Sequence, residues 1–180
     1  MRIFLVGFMA VGKSFWGEKL ANHMGVRFYD LDKEIELLEG MEIHKIFKSK
    51  TEDYFRDIEQ VSLQGIVQSS ENFVMACGGG TPCYRGNMQL MKESGQVVYL
   101  LINSIENHPF LKNNDENRPL TQATDFKLEM QQLLEHRKYF YEQAYKDRHI
   151  GYKNLTADIE ELNIGIENIR WIKSTNYKII

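Results

Sequence analysis

The stretch Gly7-Phe8-Met9-Ala10-Val11-Gly12-Lys13-Ser14 fits the pattern GxxxxGK[ST]. Glycines at its ends let the backbone curl so that its N–H groups face a phosphate, and a helix starting at Lys13 would add partial positive charge there. Lys13 is then placed to reach the β- and γ-phosphates of a nucleotide, and Ser14 to ligate magnesium. The context agrees with the spacing, because the apolar run Ile3–Val6 precedes the motif and a helical pattern follows it.

Other residues carry chemistry away from this loop. Tyr29-Asp30-Leu31-Asp32 sets two carboxylates at the end of a short β-rich run, where the strands of an α/β sheet face a ligand crevice. One of them could instead cap the helix that begins near Lys33. Gly78-Gly79-Gly80 follows directly on Phe73–Cys77 and would let backbone approach a ligand closely, or else serve as a tight strand exit. Arg137 sits four residues from Leu133 and from Tyr141, on the apolar side of its helix, so it reads as inward-facing and in need of an anionic partner. Arg56 is more ambiguous, since Glu52 lies four residues ahead and a surface pair would account for it. Arg118, between Asn117 and Pro119, could swing over transferring phosphates or remain a solvated loop arginine.

These residues need a scaffold. Short β-rich runs at Ile3–Val6, Arg27–Tyr29, Phe73–Cys77, Val97–Ile102 and His149–Tyr152 alternate with helical patterns at about 13–24, 31–39, 50–69, 86–94, 123–147 and 156–171. Such alternation predicts parallel βαβ units in a three-layer α/β domain, with continuous apolar strands because both sheet faces are covered. Ser49-Lys50-Thr51-Glu52 predicts a capping box at the start of the third helix, whose Phe55, Ile58 and Ile66 would face the core. Between Ser104 and Thr121 the periodicity fails amid Asn, Asp, Glu and Pro, as expected of a mobile lid.

Bulk properties remove whole classes of function. The chain has 180 residues, 43% hydrophobic and 26% charged, and its 22 Lys and Arg against 25 Asp and Glu leave a formal charge of -3. No cationic field exists to hold a nucleic-acid backbone, so none is expected as a partner. No run suits a signal peptide or a membrane span, which predicts a cytoplasmic protein. Cys77 and Cys83 are too far apart for a CxxC pair and read as reduced thiols. A guanine-nucleotide switch is disfavoured, because both NKxD and DxxG are missing.

Taken in order, the phosphate loop, Asp30 and Asp32, Phe55-Arg56, the triple glycine, Arg118-Pro119-Leu120, and Arg137 with Tyr141 resemble the shikimate kinases, in the nucleoside monophosphate kinase-like branch of P-loop proteins. The resemblance covers most of the chain. It implies one domain over 1–180 with a five-stranded parallel sheet in the order 2-3-1-4-5, an acceptor region at about 31–60 and a lid at about 104–121. It also implies ATP- and magnesium-dependent phosphorylation of the shikimate 3-hydroxyl, a step of aromatic amino-acid and chorismate biosynthesis; a monomer is expected. By the same resemblance, Gly7, Ala10, Val11, Gly12, Lys13, Ser14, Phe15 and Arg118 would hold the nucleotide. Asp32 would hold the acceptor hydroxyls and orient or deprotonate the one that attacks. Arg56 and Arg137 would grip the carboxylate, and Gly78, Gly79 and Gly80 would line the acceptor. Ser14 and Asp30 would serve the metal, and Lys13 and Arg118 would offset charge on the transferred group. The chain departs from the family at Ala10, where a glycine is usual, and at Phe15, where a small hydroxyl residue is usual. The nearest rival is a kinase of another small acceptor, such as gluconate or a nucleoside monophosphate.

Overall fold

The computed structural model describes residues 1–100 and 126–145. Within them, strands β1 (Arg2–Gly7), β2 (Arg27–Asp30), β3 (Phe73–Ala76) and β4 (Gln96–Leu100) form one sheet in the order β2-β3-β1-β4. Every neighbouring pair is parallel. The order agrees with the expected 2-3-1-4 portion; the fifth strand, expected at 149–152, lies outside the described residues, as do the lid at 104–121, Arg118 and the helix expected at 156–171.

Six α-helices accompany these strands among the described residues: α1 (Lys13–Met24), α2 (Leu31–Glu39), α3 (Ile43–Ser49), α4 (Glu52–Ser69), α5 (Asn87–Ser94) and α6 (Phe126–Tyr141). Alternating residues of β1 feed two separate cores, as strand geometry requires. Ile3 and Leu5 join Leu20 and Ala21 of α1 on one face. Phe4 and Val6 join Leu31, Ile35, Ile46, Phe55, Leu63, Met88, Met91, Met130 and Tyr141 on the other, so α2 to α6 all pack there. The result is the expected three-layer arrangement. α1 lies close because Gly17 lacks a Cβ, which would stand 2.6 Å from the Phe28 ring.

Two local expectations are corrected. α3 was not among the predicted helices: it has seven residues, of which only Ile46 is buried, too few for a helical period to register. The predicted capping box at Ser49 does not form, because Ser49 still belongs to α3 and its Oγ donates back to the Lys45 carbonyl at 2.7 Å. Thr51 caps α4 instead, accepting from the Tyr54 N–H at 3.2 Å. Phe55 and Ile66 then turn inward as expected, with Ile58 partly buried against the same core.

Candidate active site

The phosphate loop occupies the turn between β1 and α1. Gly7 has φ of 144°, and a Cβ there would come within 2.4 Å of the Leu100 carbonyl oxygen, so only glycine fits. Gly12 has φ of 89° and launches α1. Ala10, with φ of 53°, is one of two non-glycine residues with positive φ among those described; the departure from the usual glycine therefore stands where glycine is favoured. Lys13 is 9% exposed, and its Nζ donates to the carbonyls of Gly7 at 2.9 Å and Phe8 at 2.7 Å. Burial lowers its pKa to about 8, opposed chiefly by the Asp32 carboxylate. Val11 packs against the core, whereas Phe15 is 56% exposed and stands edge-on to Trp16 with the Lys19 ammonium over its ring.

Sheet register brings the carboxylates to this loop. Ala76 of β3 is paired with both Leu5 of β1 and Asp30 of β2, so Asp30 ends its strand level with the approach to Gly7. Ser14 Oγ donates to Asp30 Oδ2 at 2.5 Å, and the other oxygen of Asp30 caps α2 by accepting from Lys33 N at 3.4 Å. Capping and a functional role were competing readings of this residue; one carboxylate serves the cap and faces the loop at once. The Ser14–Asp30 pair supplies two hard oxygen donors beside the loop, a set that fits Mg2+ sharing its coordination with phosphates and water. No cluster of three or more His, Cys, Asp or Glu among the described residues forms an all-protein metal cage.

Asp32, in the first turn of α2, reaches the triple glycine. A Cβ on Gly78 would lie 2.8 Å from Asp32 Oδ1, 3.0 Å from Thr81 Oγ1 and 3.1 Å from Glu59 Oε1. Burial, then the neighbouring carboxylates of Asp30 and Glu59, raise the Asp32 pKa from 3.8 to about 6, with Lys13 pulling the other way.

The next two glycines face the two arginines. A Cβ on Gly79 would stand 3.2 Å from Arg137 Nη1, and one on Gly80 would stand 2.7 Å from Arg56 Nη2. Arg56, on α4, is 6% exposed. Its Nη1 donates to Glu59 at 2.9 Å, its Nε and Nη2 donate to Glu52 at 3.3 and 3.1 Å, and its guanidinium carbon lies 4.1 Å from the centre of the Tyr84 ring. The pair with Glu52 therefore exists but is no surface ornament, since the arginine itself is buried. Arg137, on α6, is half-buried and in no ion pair with a described carboxylate. Tyr141, one turn on, donates its hydroxyl proton to the Gly79 carbonyl at 2.6 Å and so ties α6 to the triple glycine. Burial pushes the Cys83 thiol up to about 11 although both arginines oppose this, which sets the thiol under the influence of both guanidiniums.

Glu59 was missed in the sequence. It is 1% exposed, accepts from Thr81 Oγ1 at 2.6 Å, and pairs with Arg56. The signal was present: Glu59 lies one turn after inward-facing Phe55 and three residues after Arg56, so it had to share their face. Tyr84 had no comparable signal, because only the turn after the glycines brings it back over Arg56.

Residues 9–164 match the family model described as shikimate kinase. A shikimate kinase of Sulfurihydrogenibium sp. (strain YO3AOP1) is 40% identical over 160 residues, covering 89% of this chain and 94% of the relative. One from Persephonella marina is 42% identical over 142 residues, covering 79% and 84%. Among solved structures, shikimate kinase from Acinetobacter baumannii in complex with shikimate superposes with a TM-score of 0.74 at 31% identity, covering 93% of each chain. That from Aquifex aeolicus gives 0.70 at 33% identity, covering 93% of this chain and 96% of the other.

Proposed function

The chain belongs to the shikimate kinase family, and from that premise we propose how its residues divide the transfer of the ATP γ-phosphoryl group to the shikimate 3-hydroxyl. The enzyme makes shikimate 3-phosphate and ADP, a step on the way to chorismate and the aromatic amino acids. One observation supports the division of labour above the rest: Arg56 and Arg137 come from distant helices yet reach consecutive glycines, next to the glycine that Asp32 reaches.

Phosphoryl transfer asks the protein mainly for alignment and charge stabilisation, since the metaphosphate-like group needs little covalent help. Gly7, Ala10, Val11, Gly12 and Phe15 supply the backbone that wraps the phosphates. Lys13 leaves its two carbonyl partners for the β- and γ-phosphates and offsets charge there. Magnesium, when bound, neutralises charge on the phosphate oxygens, and Ser14 with Asp30 are the residues to hold it. Asp32 accepts the hydroxyl hydrogen bond and aims the attacking oxygen. Its pKa of about 6 leaves it ionised at neutral pH while keeping it basic enough to take up the proton once transfer is under way. Arg56 and Arg137 receive the carboxylate, and forked donors select a planar anion because a neutral sugar would leave them unpaired. Gly78, Gly79 and Gly80 admit the ring close to the backbone. Arg118 is assigned to the phosphates from the lid at 104–121.

No helix among the described residues is long and apolar enough to cross a membrane. We place the enzyme in the cytoplasm, as a monomer of one domain, with ATP and shikimate as its small-molecule partners. With ATP and magnesium, the purified protein is expected to release ADP when shikimate is added. Turnover of gluconate or cytidine monophosphate, with none of shikimate, would overturn the assignment.

A further inference from the structure

Arg56 meets the acceptor end with its charge already answered. Glu59 holds Nη1 from a buried position and is itself fixed by Thr81. Glu52 is different in kind: its side chain is 56% exposed, at the first residue of α4. Its Oε1 nonetheless collects three donors, Arg56 Nε at 3.3 Å, Arg56 Nη2 at 3.1 Å and the Tyr84 hydroxyl at 3.1 Å. An arginine has five N–H groups, so one on each Nη remains, beside Gly80 where no Cβ intrudes. An acceptor carboxylate can take that end-on fork. It then shares one guanidinium with two resident carboxylates, while Arg137 carries no such pairing among the described residues.

We propose that Glu52 tunes acceptor affinity: it is a resident anion that already offsets part of the Arg56 charge and so weakens the hold of Arg56 on the acceptor's carboxylate. The inference rests on shikimate as the acceptor. Glu52 acts through Arg56 and touches no reacting atom. Its influence therefore falls on acceptor affinity and leaves the transfer step alone. A purely structural Glu52, one that merely steadies Arg56, makes the opposite prediction: its removal would loosen Arg56 and weaken binding.

The two roles differ in sign, which steady-state kinetics reads directly. Asp53→Asn is the control, since it removes the same charge from the first turn of α4, while Asp53 pairs among the described residues with exposed Arg85, at 3.6 Å. Thermal melts of both variants check that the fold is intact. Glu52→Gln is expected to lower the KM for shikimate about two- to fivefold, the scale of a half-exposed ion pair, with kcat and the KM for ATP unchanged. Asp53→Asn is expected to leave all three constants as they are. An active enzyme in which Glu52→Gln raises the shikimate KM or leaves it unchanged, or in which Asp53→Asn lowers it equally, overturns the inference alone. A wild type that turns over no shikimate overturns the acceptor assignment and this inference with it.

Discussion

Asp32 illustrates what a functional carboxylate costs its own fold. Below pH 3.8 the group is protonated in folded and unfolded chains alike and carries no penalty. Between 3.8 and about 6 the unfolded chain releases its proton while the folded one retains it, so the penalty grows with pH and is complete above 6. A shift of about two units corresponds to about 3 kcal/mol. Partial exposure reduces this to about 1–2 kcal/mol. Asp32→Asn is therefore expected to abolish turnover and raise Tm at pH 8, with most of the gain in Tm lost by pH 4. Calorimetry at the two pH values checks this, and an equal gain at both would contradict it. At this scale the nucleotide end was legible in the sequence, because its residues are contiguous and one turn of backbone sets their geometry. The acceptor end was only half legible. Arg56 was weighed against the residue four positions before it, while Glu59, three positions after it, carries the buried half of the pairing.

At the level of elements, the four described strands and the long described helices followed from apolar period, and α1 and α2 coincide with the predicted 13–24 and 31–39. What failed was local competition for one residue. Ser49 and Thr51 both suit a helix start, and Ser49 lost because α3 had already enrolled it, an element too short and polar to leave a period. Capping energies make the distinction measurable. Thr51→Ala is expected to lower stability by about 1 kcal/mol, while Ser49→Ala, which removes only a back-bond to its own helix, changes it by less than about 0.5 kcal/mol. Urea unfolding of the two variants checks the ranking, and because Thr51 holds the start of the helix bearing Arg56, the KM for shikimate in Thr51→Ala should rise with it.

For the whole molecule, strand order came from the family resemblance; apolar period alone says that strands alternate with helices and nothing about which neighbours which. The observed order puts the phosphate loop after central β1 and the carboxylates at the edge, Asp30 ending β2 and Asp32 in the first turn of α2, with β3 and the glycines that follow it between them. On the proposed division of roles, ATP and acceptor are therefore expected to contact separate sets of side chains. Arg137→Ala is expected to retain the rise in Tm given by ATP with magnesium while losing most of the rise given by shikimate. In the wild type each ligand at a hundred times its Kd adds about 2.7 kcal/mol. A variant that lost both shifts would mean that the two ends are one cooperative unit.

The triple glycine also acts as a ruler. Asp32, Arg137 and Arg56 address three successive residues, and successive Cα atoms are about 3.8 Å apart whatever the sequence. The hydroxyl-aligning group and the anion fork proposed above are thereby referred to one short stretch of backbone that carries no side chain of its own. On the proposed division of roles, acceptors are expected to be gauged by length as well as charge, so a molecule whose alcohol and carboxylate stand one bond further apart should turn over more slowly than shikimate.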